Sequence, residues 1–143
     1  MVPKGNAAVE LVSGPYSGIA IELGLKTSPM YKLSFAMGDA NDNCVGEFVV
    51  GVQAGLIVQN FTLQSNGTGH AQNFSMSFNP DPDQETRIEF MSHRQSQTRD
   101  LSFCGPVIDN VVLIASDGSI SGEARYVFMS MVCLIVVVLN ILG

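Results

Sequence analysis

Leu101-Ser102-Phe103-Cys104-Gly105-Pro106-Val107-Ile108-Asp109-Asn110-Val111-Val112-Leu113 is the stretch on which the rest of the chain converges. It joins a cysteine, Cys104, to a Gly105-Pro106 step and then to Asp109-Asn110, a polar step that launches a last apolar strand. Proline has no amide hydrogen to give a ladder and glycine loses the most backbone entropy on folding, so Cys-Gly-Pro is poor helix and poor mid-strand. The stretch therefore predicts a fixed corner, with Val111 to Ile114 as the closing strand of a sheet.

Upstream of that corner the apolar rhythm is period two almost everywhere, the pattern of half-buried strands. Ile19, Ile21, Leu23 and Leu25 alternate with Ala20, Glu22 and Gly24. Tyr31, Leu33, Phe35 and Met37 share one face while Lys32 and Ser34 take the other, and Phe48, Val50 and Val52 repeat the pattern. Phe74, Met76 and Phe78 oppose Asn73, Ser75 and Ser77; Ile88 and Phe90 oppose Arg87 and Glu89. With Ala8 to Val12 and Leu56 to Leu63 added, the reading is about eight strands and no helix. Short strands parted by Gly, Pro, Asn and Asp turns predict an all-β, antiparallel sandwich. Gly38 to Cys44, Ser65 to Gly69, Asn79 to Asp83 and the long Ser92 to Asp100 are its loops.

Four blocks in order give the chain a family likeness. They are Val2-Pro3-Lys4-Gly5 with Ala8 to Gly14, then Tyr31 to Phe35 with Gly38-Asp39-Ala40 and Cys44, then Ser65-Asn66-Gly67-Thr68-Gly69, then Cys104-Gly105-Pro106-Val107-Ile108-Asp109-Asn110-Val111. Together they resemble the plant cell-wall family called domain of unknown function 642, over about residues 2 to 114. The resemblance implies a galactose-binding-domain-like jelly roll, the second of two such modules. It also implies wall polysaccharide, pectin or cellulose, as partner, and an influence on pectin methylesterase.

The chain has 143 residues, enough for one domain with a sizeable core. Residues 1–115 are read as that domain, 116–125 as a polar spacer and 126–143 as an apolar tail. A net charge of −6 gives no basic footprint for nucleic acid. Tryptophan is absent, which argues against a broad aromatic sugar platform but not against binding through hydrogen bonds.

Of three cysteines, Cys133 lies in the tail, which leaves Cys44 and Cys104. On their own these read either as a pair or as two buried thiols; the resemblance to a secreted family favours a disulfide. Asn60-Phe61-Thr62, Asn66-Gly67-Thr68 and Asn73-Phe74-Ser75 are glycosylation sequons, of which Asn66, in a glycine-rich turn, and Asn73, on a polar strand face, are preferred. Met1 to Gly5 leads straight into a strand with no apolar leader, whereas sequons and tail call for the secretory route. The expectation is that an amino-terminal half precedes these residues.

No catalytic set emerges. His70 and His93 are the only histidines and neither sits in a nucleophile motif, so the chain is read as noncatalytic. Asp39-Ala40-Asn41-Asp42-Asn43 begins like a calcium loop but places Cys44 where the turn glycine belongs and Val50 where the bidentate glutamate belongs. A turn held by side-chain-to-backbone hydrogen bonds is expected instead. Asp109 is a candidate ligand for structural calcium, by likeness to other sugar-binding jelly rolls; the ordinary alternative is a turn carboxylate. Arg87, Arg94 and Arg99 are three of only seven basic residues of an acidic chain, and His93 lies among them, sharing the long loop with Arg94 and Arg99. Guanidinium forks pair with carboxylates, so His93, Arg94 and Arg99 are candidates for binding a carboxylated sugar, against the plainer reading of a solvated loop.

The tail Tyr126 to Leu142 is almost uninterruptedly apolar, with small residues from Ser116 before its spacer. That is the pattern of a GPI signal attached at Ser116, in preference to a membrane span without basic stop-transfer residues. The expected location is secreted, at the cell wall or the outer face of the plasma membrane, with the membrane reached through the tail. The function read from these signs is a noncatalytic carbohydrate-binding wall protein. The alternative is a protein-interaction module that regulates a wall enzyme without gripping sugar.

Overall fold

In the computed structural model, residues 8–12, 17–27, 30–82, 84–93, 96–98, 100–116, 125–128 and 135–137 are described. Period-two alternation becomes strand where a second sheet covers the apolar face. β1 (Val9–Glu10), β2 (Gly18–Leu23), β3 (Met30–Gly38), β4 (Cys44–Ala54), β5 (Ile57–Asn66) and β6 (Ala71–Phe78) make the first half. β7 (Thr86–Ser92), β8 (Ser96–Thr98), β9 (Phe103–Cys104), β10 (Val107–Ser116), β11 (Arg125–Phe128) and β12 (Ile135–Val137) follow. The first sheet runs β12-β11-β10-β3-β6 with β1 also on β10, and the second β2-β7-β4-β8-β9 with β5 also on β4. Every pairing is antiparallel. The fold is thus the all-β sandwich that the alternation predicts, with short strands added to the expected eight.

β3 and β4 are the central strands and drive the packing. β3 sends Tyr31, Leu33, Phe35 and Met37 inward, all 3% exposed or less, and β4 answers with Phe48, Val50, Val52 and Ala54. Phe35 ties the layers together: its ring meets Phe61 of β5 at 5.1 Å and Phe90 of β7 at 5.0 Å edge-on, and stacks on Phe74 of β6 at 5.8 Å. Such pairs add about 0.5–1.5 kcal/mol each beyond the area they bury.

At the corner the structure differs from the sequence reading in two ways. β10 begins at Val107, not Val111, so Asp109 and Asn110 lie within the strand. Register against β3 shifts between Asp109 and Val112, and Asn110 takes a φ of 49°, a left-handed bulge that asparagine tolerates. Gly105-Pro106 is the crossing from β9 of one sheet to β10 of the other. Its glycine is required by closeness: a Cβ there would overlap the Leu11 carbonyl oxygen and lie 2.7 Å from its carbon. The Leu11 amide donates to the Pro106 carbonyl at 3.0 Å, fastening the crossing to the end of β1.

The expected loop Ser92 to Asp100 contains β8, which pairs with β4 at Cys44↔Thr98 and with β9 at Ser96↔Cys104. Cys44 and Cys104 are joined by a disulfide with Cα atoms 6.1 Å apart, both buried. Residues 117–124 of the spacer and most of the apolar tail, the segment expected to direct membrane attachment, lie outside the described residues. No helix among the described residues is long and apolar enough to cross a membrane.

Candidate functional site

Alternation along β4 puts Val45, Glu47, Val49, Gly51 and Gln53 on the outer face of the second sheet. Register brings neighbours to each: Gly51 stands between Asn60 of β5 and Met91 of β7, Val49 opposite Thr62, Glu47 opposite Gln64, and Gln53 between Val58 and Glu89. At the middle of this face Gly51 contributes no side chain, and the His93 ring occupies the space above it. A Cβ at Gly51 would overlap that ring and lie 3.3 Å from Asn60 Oδ1. His93 is held there from its backbone, where its amide donates to the Val49 carbonyl at 2.9 Å just past the end of β7.

Around this centre the charged groups are paired off. Gln64 Nε2 donates to Glu47 Oε2 at 3.1 Å, and Gln53 Nε2 to the Gly55 carbonyl at 3.0 Å. Arg87 donates from Nε to Glu89 at 3.1 Å and meets Glu22 at 3.5 Å. The hydrogen bond that Arg87 donates to Glu89, the charge of Glu89 and that of Glu22 push the Arg87 guanidinium above its ordinary value. The centre of the face is made of the His93 imidazole, the Asn60 amide and the Thr62 hydroxyl, beside the apolar flanks of Val49 and Met91. An amide or hydroxyl both donates and accepts, as a sugar hydroxyl does. A separate open slot of about 150 Å³, lined by Ile19, Ala20, Ile21, Ile88, Phe90 and Val111, has no hydrogen-bonding side chain to offer one.

Of the expected cation cluster, His93 lies on this face, whereas Arg94 and Arg99 fall outside the described residues. Asp109 is 7% exposed, opposite Ala36, and its Oδ1 accepts from the Asn110 amide at 2.6 Å. No group of three or more His, Cys, Asp or Glu side chains placed to hold a metal ion occurs among the described residues. Asn73 is exposed on β6 of the other sheet, and Ser116 ends β10. Asn66 Oδ1 accepts from the Thr68 amide at 3.1 Å and hydroxyl at 2.6 Å, a local turn at the end of β5.

Asp39, read from sequence as part of a local turn, has a longer reach. The expected local bonds are present, Asn41 N–H to Asp39 at 2.9 Å and Cys44 N–H to Asp42 at 3.0 Å. But Asp39, 1% exposed, also accepts from the Ser65 hydroxyl at 2.9 Å, the His70 amide at 3.3 Å and the Gly69 amide. One buried carboxylate thus ties the β3–β4 loop to the β5–β6 loop beside the disulfide.

Residues 1–114 match a family described as "Protein of unknown function (DUF642)". Protein DUF642 L-GALACTONO-1,4-LACTONE-RESPONSIVE GENE 2 of Arabidopsis thaliana is 40% identical over 116 residues, 80% of this chain and 31% of its own length. Protein TEEBE of the same plant is 38% identical over 114 residues, 78% of this chain and 30% of its own. The chain thus spans about a third of the length of these curated relatives. Among solved structures, a Family 16 Carbohydrate Binding Module-2 is similar at a TM-score of 0.43 and 15% identity, covering 78% of this chain and 82% of that one.

Proposed function

The chain belongs to the DUF642 family, and from that premise we propose that its sandwich is a noncatalytic module that binds cell-wall polysaccharide on the outer face of the second sheet. The observation that carries the reading is the gap at Gly51, filled by the His93 ring and bordered by Asn60 and Thr62. A sugar laid across β4 meets apolar surface at Val49 and Met91 and hydrogen-bonding groups on either side. De-esterified pectin is the preferred substrate class, because its carboxylates suit the guanidinium groups of Arg94 and Arg99, which follow His93 in sequence. Modulation of pectin methylesterase at the wall or the outer face of the plasma membrane follows if the module and the enzyme meet on the same polymer.

The test is retention of purified protein on immobilised galacturonan and on cellulose, with His93→Ala beside the unaltered chain. Retention on galacturonan that falls on His93→Ala and on raising salt supports the reading; equal retention of both proteins refutes this site.

A protein-interaction role is the second reading, favoured by the β4–β5 hairpin tip. Leu56 is 82% exposed there and Val58 65%, beside a strand, β5, that pairs only with β4 among the described residues. Capture of the esterase that is lost on Leu56→Ser and kept on His93→Ala would select it.

A further inference from the structure

We infer that Asn60 carries an N-linked glycan that lies over the His93 face and closes it, so that occupancy of this one sequon sets whether the face is open. The inference rests on the binding reading for its consequence and on geometry for the cover itself. The three sequons occupy different parts of the sandwich. Asn73 faces out from β6 of the first sheet, and Asn66 sits at the end of β5 with its Oδ1 engaged by Thr68. Asn60 stands next to the glycine gap in mid-sheet, with its Oδ1 3.3 Å from where a Gly51 Cβ would be and the His93 ring on the same spot. The amide nitrogen is bonded to the same carbon as that oxygen. A sugar on it starts at the edge of the gap.

The strand accepts such a modification without rearrangement. Asn60 and Thr62 are both exposed and alternate with Phe61, which is buried at 7%, so both polar residues of the sequon point outward and only its middle residue enters the core. β5 has β4 on one side and no strand on the other among the described residues, which leaves room for a bulky chain. Val58, two residues earlier on the same face and 65% exposed, gains cover from the same glycan. An exposed apolar edge strand invites pairing with other chains, and a glycan there blocks it. In the transfer, Asn60 Nδ2 attacks C1 of the first sugar of a lipid-diphosphate-linked oligosaccharide. The N–C1 bond forms, the C1–O bond to the diphosphate breaks, Nδ2 gives up one proton and the lipid diphosphate leaves.

The test uses the chain secreted from a eukaryotic host that adds high-mannose glycans, before and after trimming with an endoglycosidase that leaves one sugar. Peptide mass spectrometry reads occupancy at Asn60 and the rate at which diethyl pyrocarbonate modifies His93, with His70 as internal reference. Occupied Asn60, with His93 reacting several-fold faster after trimming and in Asn60→Gln, supports the cover; Asn66→Gln and Asn73→Gln should leave the rate unchanged. An unoccupied Asn60, or a His93 rate that trimming does not alter, overturns it. Retention on galacturonan separates the two ideas. If trimming frees His93 but neither form is retained, the cover stands and the polysaccharide reading falls; if both forms are retained equally, the closing of the binding face is overturned.

Discussion

Gly105→Ala is predicted to be severely destabilising, and the reason is a neighbour rather than a backbone angle. The new Cβ would overlap the Leu11 carbonyl oxygen, stand 2.7 Å from its carbon and 3.4 Å from the Val12 nitrogen. These are backbone atoms at the end of β1, so relief requires the strand to move off the crossing. Overpacking of this kind costs about 1–3 kcal/mol. Moving β1 also stretches the Leu11 N–H to Pro106 bond of 3.0 Å, whose loss adds about 1 kcal/mol. A total near 3 kcal/mol corresponds to a fall of roughly 10–15 °C in melting temperature for a domain of this size. Gly24→Ala is the control, since nothing lies within 4 Å of its Cβ position; it should melt within about 2 °C of the parent. Thermal unfolding followed by circular dichroism measures both. A Gly105→Ala protein that melts with the control would refute close approach as the reason for glycine in the Cys-Gly-Pro corner.

Asp39→Ala strips the Ser65, Gly69 and His70 donors of their shared acceptor in a buried site and should cost about 3 kcal/mol or more in urea unfolding. Replacing Cys44 and Cys104 together by Ala opens a link between residues 60 apart, with a loss of about 4 kcal/mol on the loop-entropy model, read from the denaturation midpoint of the secreted protein. Glu10 is held above its ordinary 4.5, chiefly by burial, with the Gly105 amide opposing and Asp42 adding to it. A raised folded-state value means that its contribution is whole below about 4.5 and is lost as pH rises through the folded value. Glu10→Gln should therefore raise the melting temperature at neutral pH and leave it unchanged in acid; a loss at neutral pH would reverse the sign.

The sandwich was legible because β3, β6 and β7 bury one face against a partner sheet, and a one-residue slip would expose Leu33 or Phe35. The start of β10 was not, because Asp109-Asn110 interrupts the apolar run and imitates a turn; only pairing with β3 shows that the strand passes through them as a bulge. Gly105 was read correctly as a corner, but its cause lies in Leu11, nearly a hundred residues upstream, which no local rule reports. The face proposed for binding was half legible. His93 was singled out for its neighbours in sequence, yet its place depends on Gly51, whose position in the middle of an apolar strand is itself the signal of a close approach from outside. Asp39 shows the same limit, since its local turn can be read from spacing but its bonds to Ser65, Gly69 and His70 require the sheets to be assembled.

The most direct test of a polysaccharide site on the second sheet is a titration of isotopically labelled, unglycosylated protein with an oligogalacturonide, followed by amide chemical shifts. Shifts centred on Val49, Gly51, Asn60, Thr62, Met91 and His93, and strongly reduced in Gly51→Ala, whose methyl displaces the His93 ring, are predicted. Shifts centred on Ser34, Asn73, Ser75 and Ser77 of the opposite sheet, or none at saturating ligand, would contradict it.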